Sequence, residues 1–178
     1  MVDFRADIEQ QLKPFTAYLS GDVFASLVAV KGKPGQAERE GAAPFGGSDG
    51  LALDKSFGRL GWGFGSQDTR TWLGVLLAPS GQAVLTAHKL RLLCEIVDPL
   101  VLVALDEQAR LVLQDAFAHD EKSLAAAFAP GSVATALGRT LISVEGFEDA
   151  LADADAKQKV WAQLKRCVFP PNPPTTPR

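Results

Sequence analysis

The chain has 178 residues, 47% apolar and 22% charged, with a formal net charge of −3. That length suits one domain with a substantial core, and no run of about 18 apolar residues is present to cross a membrane. The slight acidity argues against a dedicated nucleic-acid binder, in which basic surface neutralises phosphate.

Residues 2–19 predict an amphipathic helix, with Phe4, Ile8, Leu12 and Leu19 near one face and Pro14 as a kink or break. Ser20-Gly21-Asp22 marks a turn. Residues 23–30 are apolar and predict a buried strand. Residues 31–50, rich in Gly, Pro and charge, predict a long loop of the kind that carries function. A helix over 51–60 ends at Gly61. Residues 63–68 predict a turn, and 71–77 a second strand closed by Pro79-Ser80-Gly81. Val84, Ala87, Leu90, Leu93, Cys94 and Val97 give a helix over 84–97, stopped by Asp98-Pro99.

The continuous apolar run 100–105 predicts a central parallel strand, and 107–117 the helix after it. A short helical turn at 123–128, a last strand at 139–144 and a last helix at 154–166 follow. Residues 169–178 are Pro-rich and predict a flexible tail behind a single domain of residues 1–168. The alternation predicts an α/β fold: a three-layer α/β/α sandwich around a mostly parallel sheet of about four strands.

The segment from Pro34-Gly35 to Pro44-Phe45-Gly46-Gly47-Ser48-Asp49-Gly50-Leu51 resembles the first active-site segment of the uracil-DNA glycosylase superfamily, above all its iron–sulfur branch. Three further stretches keep the same order. They are Thr71 to Leu77, then Cys94 to Asp106 with Ala104-Leu105-Asp106 where the family ends in Ala-Leu-Gly, and the helix carrying Lys157, Trp161, Leu164 and Lys165. The likeness spans roughly residues 23 to 166. It implies the glycosylase fold, a pocket loop of Gly32, Pro34, Gly35, Pro44 and Gly47, and Phe45 as the base-stacking ring or pocket wall; the alternative for Phe45 is a loop anchor folded into the core.

The same resemblance implies that the chemistry is missing. The position of the catalytic acid falls on Gly32, and a one-residue slip gives Lys31 or Lys33. The base-reading Asn falls on Val75, or on Gly74 after a slip. The late His falls on Gly146. Neither lysine is an acid, neither Val75 nor Gly74 can donate and accept to a uracil edge, and Gly146 has no side chain to stabilise the departing base. The cluster cysteines are absent too: Cys94 and Cys167 make no Cys-x-x-Cys pair. No metal or cofactor is expected, and the leading expectation is a glycosylase-fold protein without the activity, binding a partner in a role linked to DNA repair.

Two other classes stay open. An enzyme with relocated chemistry would draw an acid from Glu38, Glu40, Glu145 or Glu148 and a cation from His88 or His119. Glu38 and Glu40 otherwise read as loop surface. An interaction module would use the acidic stretch 145–155, where Glu145, Glu148 and Asp149 oppose docking on phosphate and Asp153 or Asp155 caps the last helix. Lys157, Lys159, Lys165 and Arg166 read as a solvated face. Gly61-Trp62-Gly63-Phe64-Gly65 lacks the Lys-Ser/Thr of a phosphate loop, although Trp62 and Phe64 could form an aromatic edge. The N-terminus has no signal-peptide core, so a cytoplasmic protein is expected.

Overall fold

A computed structural model describes residues 4–62, 70–118, 124 and 128–165. The elements in chain order are α1 (Phe4–Leu12), a 3-10 helix (Lys13–Tyr18), β1 (Leu19–Gly21), β2 (Leu27–Lys31), α2 (Gln36–Arg39), α3 (Ser48–Arg59) and β3 (Leu73–Leu76). Then come α4 (Ala87–Val97), β4 (Val101–Ala104), α5 (Glu107–Phe117), β5 (Val133–Ala136), β6 (Arg139–Ser143), α6 (Phe147–Ala150) and α7 (Ala154–Lys165). The fold is mixed α/β.

The strands form one sheet in the order β1-β3-β2-β4-β6-β5. The four inner strands run parallel, while β1 and β5 close the two edges antiparallel. Among the described residues the sheet therefore has six strands rather than about four. Both additions escaped the sequence reading for a physical reason. β1 is three residues long and contains the Ser20-Gly21 read as a turn. β5 lies at an edge with an exposed, intermediate, exposed, buried pattern, so it needs no apolar run.

The single helix expected over 2–19 is broken. Pro14 sits in the first turn of the 3-10 segment, where a missing N–H is tolerated, and Leu19 passes into the sheet.

Apolar residues cover both faces of the sheet. On one, Ile8, Leu12, Leu90, Leu93, Leu113 and Phe117 from α1, α4 and α5 meet Val28, Val30, Val75 and Leu102. On the other, Leu53, Phe57, Phe147, Val160 and Leu164 from α3, α6 and α7 meet Ala29, Val103 and Ile142. Strands buried on both faces read as unbroken apolar runs, which is why β2, β3 and β4 were legible. α4 and α5 begin on side-chain caps: Thr86 accepts from the Lys89 N–H and Asp106 from the Ala109 N–H.

Cys94 lies wholly inside the first of these layers. Burial pushes its thiol up to about 12 from an ordinary 9.0. Between those values the folded chain keeps a proton that the unfolded chain has lost, so stability falls as pH rises. Against a Cys94→Ala control, both in a Cys167→Ser background, urea unfolding is expected to show an extra loss of about 1.4 kcal/mol per pH unit from pH 9 upward. Equal slopes would refute this. Alkylation of Cys94 should likewise need denaturant.

Candidate functional site

The chain leaves β2 toward β3 on one side and returns to β4 on the other, so the strand order reverses between β2 and β4. In open α/β sheets the carboxyl ends of the strands flanking such a reversal splay their loops apart and leave a crevice. A cleft of about 650 Å³ lies there. Its walls are the loop after β2 (Lys31, Lys33 to Gln36), the start of α5 (Leu105 to Gln108), and the loop and helix after β6 (Gly146 to Asp149). Backbone bonds lace these loops together: Leu105 N–H donates to Val30, Val144 N–H to Ala104, and Phe147 N–H to Leu105.

At the bottom lies a buried ion cluster. Lys31, the last residue of β2, is 3% exposed. Its ammonium donates to both oxygens of Glu38 at 3.0 and 2.9 Å and to Asp49 Oδ2 at 2.6 Å, and it lies 2.9 Å from Glu148 Oε2. Glu38 is itself buried and accepts the backbone N–H groups of Gly35 at 2.6 Å and Phe45 at 2.9 Å. Its expected place on the loop surface is thereby corrected. α2 turns Glu38 inward, and its carboxylate ties the ends of the Gly-Pro loop together while balancing Lys31. Burial alone would lower the Lys31 pKa, but hydrogen bonds to Asp49, Glu148 and Glu38 outweigh it and hold the ammonium above the ordinary lysine value. Oxygens of Glu38, Asp49 and Glu148 come within 4.8 Å of one another, and the cation that joins them is Lys31.

Glu148 closes the cluster from the third wall. Its side chain is 38% exposed, and its carboxylate lies against Gly35, where a Cβ would fall 2.0 Å from Oε1. Gly35 is thus a place of close approach, where a larger residue would collide with Glu148. Asp106 ties the other two walls. One oxygen accepts the Ala109 N–H at 2.8 Å and the other the Gly32 N–H at 2.7 Å.

The sequence resemblance assigns catalytic groups to three positions. Gly32 is buried, and a Cβ there would lie 2.5 Å from Gln108 Cβ and 2.6 Å from Asp106 Oδ1. Val75 points into the apolar layer on the far side of the sheet. Its neighbour Gly74 faces the near side, but a Cβ there would come 2.4 Å from the Phe45 ring. Gly146 lines the cleft with a left-handed φ of 60°.

Phe45 is 1% exposed and does not line the cleft. Its ring meets Trp72 edge-on at 5.2 Å, covers Gly74, and has the Lys31 ammonium 5.6 Å from its centre. It anchors the loop in the core, so it does not form the wall of the open cleft. Pro44 is buried beside it, and Gly47 precedes α3.

Of the acids weighed for relocated chemistry, Glu38 and Glu148 converge on Lys31, whereas Glu40 is exposed and Glu145 pairs with Lys159 at 2.5 Å. His88 is exposed on α4; His119, Phe64, Cys167, Arg166 and the Pro-rich tail fall outside the described residues. Asp153 caps α7 by accepting the Ala156 N–H at 2.7 Å. The acidic stretch is therefore partly neutralised rather than one open surface. Trp62 stacks on Phe57. Asp49 and Asp106 were missed by the sequence reading, and Lys31 entered it only as an alignment slip. The available signal was an apolar strand, Leu27 to Val30, ending in a charge.

No protein-family model matches the chain, and no curated protein matches it. Among the described residues, no helix is long and apolar enough to cross a membrane.

Proposed function

We propose that this chain is a uracil-DNA-glycosylase-like α/β protein that does not excise bases and serves as a binding or accessory protein through the cleft between β2 and β4. Its link to DNA maintenance rests on the sequence resemblance. The observation that carries the reading is at Gly32. There the backbone N–H is engaged by Asp106, no side chain fits, and the adjacent Lys31 is held by three carboxylates. A catalytic acid at that position would need the start of α5 to move.

The expected result is no uracil release from single- or double-stranded uracil-containing DNA above a protein-free control. Release that co-purifies with the protein would overturn the reading.

The convergence of Glu38 and Glu148 on Lys31 favours one second reading, an enzyme with relocated acid–base groups. Glu148 is the member open to solvent, so Glu148→Gln should then abolish turnover while the fold persists. Activity unchanged in that variant removes this reading.

A further inference from the structure

A second concavity, of about 590 Å³, lies on the near face of the sheet between α3 and α7, with α6 as its floor. Both long helices pack on α6. Leu51, Lys55 and Arg59 recur at four-residue spacing along α3, and Lys157, Trp161 and Leu164 at spacings of four and three along α7. Each row covers about two turns, so the trough is roughly 12 Å long. Its floor is apolar, through Phe147, Ala150 and Leu164. Leu51 stands on its rim at 64% exposure.

The charge is one-sided. Among the described residues lining the trough, Lys55, Arg59 and Lys157 are ionisable and none is a carboxylate, although the whole chain carries a net −3. The cations stand on both helical walls, above an apolar base.

We infer that this trough is a docking site for an acidic amphipathic helix of a partner protein. The apolar stripe of such a helix would lie on Leu51, Ala52 and Leu151, the exposed and half-buried apolar residues above that floor, with acidic residues on either side facing Lys55 and Arg59 on one wall and Lys157 on the other. A helix laid in an apolar groove is read through anchors at i, i+3, i+4 and i+7, and two turns of groove suit that spacing. Complementary charge fixes its register and speeds encounter. Nucleic acid fits less well: Phe147, the aromatic ring of the floor, is 3% exposed, and the Trp161 ring already carries the Lys165 ammonium 5.4 Å from its centre, on a surface that base stacking would need. A single small anion would not use cations on two walls.

The test is selection from a displayed library of 14-residue peptides with leucine fixed at i, i+3, i+4 and i+7 and the other positions randomised, against the full chain. The expected result is enrichment of Asp and Glu beside the leucines. Binding of the selected peptide, followed by fluorescence anisotropy, should weaken at least tenfold in Lys55→Glu/Arg59→Glu and in Lys157→Glu. These side chains are exposed, so the fold should survive, as circular dichroism would check. Leu51→Ser should weaken binding without any change of charge. No enrichment, enrichment of neutral or basic peptides, or affinity indifferent to the charge reversals would overturn the inference. So would a thymidine oligonucleotide that binds in their place and is lost in the same variants. None of these outcomes depends on uracil release, which reports on the other cleft.

Discussion

Replacing Lys31 with methionine is expected to cost about 3–5 kcal/mol, the range for removing one partner of a buried ion pair. The side chain keeps its volume, so the loss reports charge. Glu38 and Asp49 are buried with Lys31, and their oxygens and those of Glu148 crowd within 4.8 Å. Without the ammonium, three like charges face one another in a poorly solvated place, which raises their affinity for protons.

The folded variant then binds more protons than its unfolded chain. Its stability should therefore rise as pH falls from 7 toward 5, narrowing the gap to the wild type. In the wild type the raised Lys31 pKa has the same sign but acts in a higher pH range. Its contribution is complete below the ordinary lysine value of 10.5 and is lost only as pH rises above it, so Lys31 itself adds no slope between pH 5 and 9. Urea unfolding of both proteins at pH 5, 6 and 7 measures this. A gap that stays constant with pH would show that the carboxylates relax into solvent once Lys31 is gone. Glu148→Gln should cost far less, about 1 kcal/mol or below, because that side chain is 38% exposed.

Phe45→Ala is expected to cost about 3–5 kcal/mol, as for other buried aromatic truncations. The ring fills the space above Gly74, contacts Trp72 edge-on and lies under the Lys31 ammonium. Its truncation leaves a cavity between the ion cluster and the sheet. The backbone adds a distinguishing feature, since Phe45 has a φ of 58°, a left-handed conformation uncommon for residues other than Gly. Glycine adopts it freely, while alanine retains the strain. Phe45→Gly should therefore be no less stable than Phe45→Ala, against the usual order. Thermal unfolding of the two variants decides the matter. Glycine worse by 1 kcal/mol or more would show that the left-handed turn carries little strain.

Both variants probe a region whose parts come from distant stretches of chain, and this marks how far sequence reading reached. Residues 100–105 and 71–77 announced β4 and β3, because burial on both faces demands apolar side chains at every position. The α5 start was legible where the apolar run 100–105 gives way to a periodic helix from Glu107, while the cap at Asp106 was not. β1 and β5 were not, since edge strands need only alternate burial or a few residues. The buried state of Glu38 was not legible either. In a Gly-, Pro- and charge-rich loop a glutamate is normally solvated, and its burial depends on Lys31 being available in space.

By itself, then, the sequence determined the alternating α/β plan, the Gly-Pro loop, and the absence of polar side chains at Gly32, Val75 and Gly146. Those are local properties, set by periodicity, backbone freedom and residue identity. Only the tertiary structure decided that Lys31, Glu38, Asp49 and Glu148 meet, that Phe45 is a core anchor away from the open cleft, and that the cations of α3 and α7 face a common trough. The physical reason is the same in each case. Charge pairing and cavity shape are set by long-range proximity at the ends of parallel strands and between helices, and no local pattern of residues encodes the distance between positions 31 and 148.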